Sequence, residues 1–183
     1  MSNAKRQHAL VCRGVQWLIL DAAACPEPLW FARGAGLDTL SLFRQQDEEL
    51  ADSGPWLIAV DGEPGAIDVC LRKDPLGHAS LWISSSLGHK HLADALRSRV
   101  YARLPGGETT RFRWYDPRVL SPYLEDSPPP RRDEFLAPFD TLIHADLNPY
   151  QHPYQHPYHY QLWQRNEAGD SFVRRHLSFM EEI

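Results

Sequence analysis

Short apolar runs recur along this chain at residues 15–20, 39–43, 56–60, 80–84 and 140–144, and segments carrying helix start and stop signals lie between them. The intervening helices are expected near 27–35, 65–73, 89–103, 117–125 and 132–137, with an acidic helical turn near 47–53. Pro26 and Pro28 suit the start of the first helix, and Gly34 and Gly36 suit its end. Ser84, Ser85 or Ser86 is expected to cap the helix that begins near 89. Pro128, Pro129 and Pro130 force a break. Alternation of this kind argues for an α/β fold, a mixed sheet flanked by helices. The pattern leaves strand order open. A chain of 183 residues that is 43% hydrophobic and 23% charged has the length of one domain and enough apolar content for a sizeable core.

One segment is legible in more detail. In Arg111-Phe112-Arg113-Trp114-Tyr115-Asp116-Pro117-Arg118-Val119-Leu120, Phe112 and Trp114 alternate with Arg111, Arg113 and Tyr115, the period-two pattern of a strand over 110–115 with one buried face. Asp116 then caps, and Pro117 starts, a helix over 117–125. The carboxylate can accept from orphan first-turn amides, and proline has no amide to lose at that position. Val119, Leu120, Tyr123 and Leu124 share one apolar stripe. Phe112, Trp114, Tyr115, Asp116 and Pro117 therefore read as the structural part of the motif. Arg111, Arg113 and Arg118 are its candidate partner-binding residues; a purely structural pairing with Asp116 is the alternative for Arg113 and Arg118. All three belong to a basic stretch with Arg97, Arg99 and Arg103, opposed only by Glu108 and Asp116. It reads either as a solvated face or as a site for an acidic partner surface.

This segment, preceded by the turn Leu104-Pro105-Gly106-Gly107, resembles the signature of the type VI secretion effector adaptor (chaperone) family. Other pieces agree in order. Leu18-Ile19-Leu20-Asp21-Ala22-Ala23 looks like the family's opening strand, and Leu40-Ser41-Leu42-Phe43 like its short second one. The acidic turn from Asp47 to Ser53, running through Gly54-Pro55 into Trp56-Leu57-Ile58, is similar to the next piece. Leu81-Trp82-Ile83-Ser84-Ser85, with the helix from Leu92 to Tyr101, continues the match. The resemblance covers residues 15–145 and implies a cytoplasmic, non-enzymatic adaptor without a cofactor. Its implied partners are a toxic type VI secretion effector and the VgrG spike onto which that effector is loaded. The competing classes are a small hydrolase or metal-dependent enzyme on an α/β scaffold, and a protein-binding module outside secretion.

Beyond residue 146 the character changes, and 146–183 reads as a C-terminal extension. Asn148-Pro149-Tyr150-Gln151, His152-Pro153-Tyr154-Gln155 and His156-Pro157-Tyr158-His159 repeat a tetrapeptide, before an expected strand over 160–164 and a short helix over 171–181. Tyr150, Tyr154 and Tyr158 are candidate docking residues, because in a flat extended strand they share one face with His152 and His156. The prolines confine such a strand to a sheet edge. A metal site is weaker, since proline bars the helix that would bring the histidines together. In polyproline II each histidine is rotated by about 120° from the last. A plain tethered arm is the third reading. Deleting 147–183 is accordingly expected to leave a folded body with weakened partner binding, unless 160–164 adds a strand to the sheet and 171–181 covers core, in which case the truncation unfolds the body.

A net charge of −5 disfavours a general nucleic-acid binder. Cys12, Cys25 and Cys70 share no metal or redox spacing. The stretch ending in Ala22-Ala23-Ala24-Cys25 faintly resembles a lipoprotein cleavage site, but Arg13, Gln16 and Asp21 break it. No run approaches the ~20 apolar residues of a membrane span. The sequence carries no nucleophile elbow, P-loop, His-Glu-x-x-His or Cys-x-x-Cys. His89 and His91 stand two apart, on opposite sides of a helix.

Overall fold

A computed structural model describes residues 3–147 and 159–178. After helix α1 (Asn3–Cys12) come β1 (Trp17–Asp21), α2 (Glu27–Gly34), β2 (Thr39–Ser41), a 3-10 segment (Gln45–Ser53), β3 (Pro55–Ala59), α3 (Pro64–Lys73) and β4 (Ser80–Ser84). The second half holds α4 (His89–Val100), β5 (Tyr101–Arg103), β6 (Thr109–Arg111), α5 (Pro117–Asp126), α6 (Pro129–Leu136), β7 (Thr141–Ala145), β8 (His159–Arg165) and β9 (Phe172–Ser178). One seven-stranded sheet runs in the order β2-β3-β1-β4-β7-β8-β9, and β5 and β6 form a separate ribbon.

The α/β class with flanking helices is as expected, but every neighbouring pair is antiparallel where a mixed sheet was anticipated. The order explains this. β1 and β2, joined through α2, run parallel with β3 between them; β3 and β4, joined through α3, run parallel with β1 between them. Each crossover skips one lane, and a strand of the other unit fills it in the opposite direction. These are the interleaved split βαβ units of a ferredoxin-like arrangement.

Side-chain parity divides the core. Leu18, Leu20, Trp56, Ile58, Trp82 and Ile143 face the side covered by α1, α2 and α3. Ile19, Leu57, Leu81, Ile83, Leu142 and Trp163 face the side covered by α4, α5 and α6. The central strands are thus buried on both faces, which is why they read as nearly continuous apolar runs. Proline lies in the first turn of α2, α3, α5 and α6, where a missing amide costs nothing.

Four local expectations are corrected. The helix near 89 stops at Val100, and its N-cap is Gly88 rather than a serine. Ser85 Oγ instead donates to the Pro138 carbonyl at 2.6 Å. The strand expected over 110–115 ends at Arg111, because β6 pairs only with β5. The helix expected over 171–181 is replaced, within the described residues, by strand β9. Phe172, Val173, His176 and Leu177 carry a helix-like spacing, but pairing with β8 from His159↔Ser178 to Arg165↔Phe172 overrides it. Helix α1, which the apolar pattern did not signal, docks through Leu10 and through Arg6, only 1% exposed, which donates to the Tyr160 hydroxyl and the Pro75 carbonyl.

The sheet also continues past residue 146. β8 pairs with β7 from Thr141↔Gln164 to Ala145↔Tyr160 and buries Tyr160, Gln161, Leu162 and Trp163. Beneath α5, Gln161 Nε2 donates to Glu125 Oε1 at 2.8 Å and to Asp146 Oδ1 at 2.9 Å, and Arg174 of β9 reaches Glu125 at 2.9 Å. Helix, sheet and C-terminal hairpin share one polar network.

Candidate functional site

The Arg111–Leu120 motif turns between the β5–β6 ribbon and α5. Phe112 N–H donates to the Val100 carbonyl at 2.7 Å, and Asp116 N–H to the Arg113 carbonyl at 3.0 Å, which closes Arg113–Asp116 into a turn. That turn replaces strand alternation, so Trp114 and the adjacent Tyr115 are both buried while Phe112 is only partly so. Trp114 stacks edge-on against Phe135 at 5.6 Å. Asp116 caps α5 as expected, with Oδ1 accepting from Arg118 N–H at 3.0 Å.

The two carboxylates lie inside and the two guanidiniums lie at the surface. Arg118 returns to its own cap with Nε to Asp116 Oδ1 at 2.9 Å and Nη2 to Oδ2 at 2.7 Å, a bidentate pair. Arg113 Nη2 donates to Asp21 Oδ2 at 2.7 Å and lies 3.8 Å from Asp116. Asp21 ends β1, so this pair ties the start of α5 to the centre of the sheet. The carboxylates raise both arginines above their ordinary range, chiefly because Asp21 accepts a hydrogen bond from Arg113 and Asp116 from Arg118. Arg113 and Arg118 therefore each pair with a buried carboxylate while half of each side chain stays exposed. Arg113→Ala leaves the buried Asp21 carboxylate without its cation and is expected to cost about 2–3 kcal/mol, less than a fully buried pair because the guanidinium is half-exposed. Arg113→Lys should recover part of this. Urea denaturation reads the difference, and an unchanged midpoint for Arg113→Ala would show that Asp21 does not need the arginine.

Arg111 belongs to a different place. It is exposed and lies over the Phe43 ring at 5.7 Å, and no carboxylate of the described residues comes within 4 Å of it. Phe43 lines an open groove of about 570 Å³ beside the end of β2, with Ser41, Arg44, Glu48, Trp56 and Arg97. Arg97 Nε donates to the Ser41 carbonyl at 3.0 Å and Nη1 to Asp94 at 2.8 Å. The Arg44 guanidinium stacks over Tyr101 at 4.1 Å, and its backbone N–H donates to the Tyr101 hydroxyl at 2.9 Å. Tyr101 in turn donates to Asp47. The groove thus has apolar walls and a basic rim.

The motif's arginines divide accordingly, with Arg113 and Arg118 together on buried carboxylates and Arg111 apart from them with Arg44 and Arg97. The basic stretch signalled Arg97 and Arg111. Arg44 was missed, because nothing local joins the end of β2 to β6. Tyr150, Tyr154 and Tyr158 lie outside the described residues.

A serine and a histidine also meet, beneath α5. Ser121 Oγ is 3.3 Å from His144 Nδ1, which donates to the Ala145 carbonyl at 2.9 Å. Both side chains are fully buried, so no external substrate reaches them in this packing. Burial pulls His144 from its ordinary 6.5 down to about 4. The folded chain therefore holds a neutral imidazole that the unfolded chain protonates below about 6.5. Stability is fully present above that pH and is expected to fall by roughly 3 kcal/mol as pH drops toward 4. Urea titrations across this window should show a flatter dependence for His144→Gln; equal slopes would remove His144 as the cause.

Residues 16–134 match the family described as Domain of unknown function (DUF4123). The chain belongs to that family. No curated protein and no solved structure matches it significantly. No helix among the described residues is long and apolar enough to cross a membrane, and no group of three or more His, Cys, Asp or Glu among them is placed to hold a metal ion.

Proposed function

We propose that this DUF4123 chain is a cytoplasmic, non-enzymatic adaptor that binds a type VI secretion effector and promotes its loading onto the VgrG spike. The observation that carries the reading is the Arg111–Leu120 segment, the most specific piece of the resemblance to those adaptors, which falls wholly inside the matched region 16–134. Its Arg113–Asp21 pair joins β1 to the start of α5, so the segment contributes to the body of the fold as well as offering Arg111, Arg113 and Arg118 as partner-binding candidates. Two such surfaces have the character of protein-binding sites. One is the basic-rimmed groove at β2. The other is the outer side of α2, where Trp30 is 63% and Phe31 40% exposed. The tyrosines at 150, 154 and 158 are a third candidate, as a docking strip supplying contact area at low rotamer cost.

The mechanism is differential binding: the adaptor holds an effector segment in the cytoplasm and yields it where the spike offers a better complex. With no nucleotide-binding signature in the chain, stabilisation of the effector is stoichiometric and independent of ATP. Co-expression with the products of its neighbouring genes should raise soluble effector and give a complex that survives size-exclusion chromatography without nucleotide. Failure to bind any effector or spike product of that neighbourhood would remove the adaptor reading. Serine at Tyr150, Tyr154 and Tyr158 tests the strip, since unchanged affinity for both partners eliminates it.

A further inference from the structure

We infer that the outer edge of β2 and the groove beside it take an extended acidic segment of a partner protein. That segment pairs with β2 as an added strand and sets carboxylates against Arg44 and Arg111. The inference deepens the adaptor reading and rests on it for the partner's identity.

Backbone geometry comes first. Among the described residues β2 is the terminal strand of the sheet, paired with β3 on one side only. Asp38 C=O accepts from Ala59 N–H at 2.9 Å and Leu42 N–H donates to Pro55 C=O at 2.8 Å, so residues 38, 40 and 42 direct their amide groups toward β3. Thr39 and Ser41 direct theirs outward. Arg97 already occupies the Ser41 carbonyl. Among the described residues the N–H and C=O of Thr39 and the N–H of Ser41 have no hydrogen-bond partner, which makes a short template for strand addition.

Charge then selects the occupant. Arg97 is tied to Asp94, but Arg44 and Arg111 each lie over an aromatic ring, and no carboxylate of the described residues lies within 4 Å of either. The rings hold the two planar guanidiniums in place, so little side-chain freedom is lost when a carboxylate arrives. Alternate residues of an added strand point to opposite faces of the sheet. One set can therefore meet the arginines, which lie over Phe43 and Tyr101 on the α4–α6 side, while the other set faces the α1–α3 side, where Trp56 lies. Glu48 lines the same groove and the chain is net −5, which opposes a continuous polyanion and favours a segment with spaced carboxylates. Three free backbone groups give modest affinity, so binding should weaken markedly with salt.

Fluorescence anisotropy with the full chain tests this. The probe is a labelled nine-residue peptide alternating valine with aspartate or glutamate; its controls are the lysine counterpart, and the acidic peptide N-methylated on alternate amides in either register. The acidic peptide is expected to bind. The lysine peptide, the N-methylated peptide that blocks the edge-facing amides, and wild-type peptide against Arg44→Glu/Arg111→Glu should each bind about tenfold more weakly or worse. Both arginines are exposed, so the double variant should keep its melting temperature; if it does not, the peptide controls on the unaltered chain still decide. Equal binding of the lysine peptide or of both N-methylated peptides overturns the inference, as does tighter binding of a ten-nucleotide oligothymidylate. A folded double variant that captures effector and spike as well as the unaltered chain overturns the groove and leaves the adaptor reading standing. Acidic-peptide binding with no capture of either partner does the reverse.

Discussion

A chain cut after Leu147 is expected not to fold. β8 is an interior strand, paired with β7 on one side and β9 on the other, and it contributes to both faces of the core. Tyr160 and Leu162 lie in the cluster under α1, α2 and α3, whereas Trp163 and Phe172 lie in the one under α4, α5 and α6. At about 1.5–3 kcal/mol for each buried side chain, their loss amounts to roughly 6–12 kcal/mol, comparable to the whole stability of a typical domain. The cut also removes the Gln161 amide that bridges Glu125 and Asp146. Near-UV circular dichroism and urea denaturation check this. A cooperative unfolding transition in the truncated chain would show that residues 1–147 make a self-sufficient core. This reverses what the composition of the tail suggests, because proline, histidine and tyrosine repeats read as an appendage while the two strands after them complete the sheet.

Trp114→Ala is expected to cost about 3–5 kcal/mol, the range for removing a large aromatic from a core that cannot collapse. Trp114 is fully buried at the junction of the motif with α6, against Phe135 at 5.6 Å and Phe139 at 6.3 Å. Among the described residues its indole Nε1 has no hydrogen-bond partner, so the loss is one of packing rather than of a polar contact. Trp114→Phe should recover most of it. Phe112→Ala should be milder, since Phe112 is only partly buried and meets Tyr123 edge-on at 5.1 Å. Urea midpoints for the three variants give the order, and a Trp114→Ala chain as stable as the unaltered one would show that the motif is not part of the core.

Local chemistry was legible because its causes are local. Proline in a first turn, Asp116 accepting from Arg118 N–H, and apolar runs at β1, β3, β4 and β7 act within a few residues, and they located most of the elements, the α/β class and the cap of α5. The same signals marked Arg113 and Arg118 and left their role open between partner binding and pairing.

What remained depends on contacts between distant segments. Phe172–Ser178 has a spacing that suits a helix, and only the seven-residue register with β8 makes it a strand. Trp114 and Tyr115 are both buried because the chain turns there into α5, which period-two alternation cannot represent. Arg113 meets Asp21 because β1 ends beneath the motif, and Arg44 lies over Tyr101, the register partner of Arg111 in the β5–β6 ribbon. Local signals marked most of the strands and helices, many of the side chains that seek the core and the stretch where basic charge accumulates, because propensity, capping and periodicity are short-range. Strand order, the antiparallel filling of each skipped lane, the pairing of particular arginines with particular carboxylates and the groove at the sheet edge were decided by tertiary packing, where burial and hydrogen bonding across the whole chain outweigh local preference.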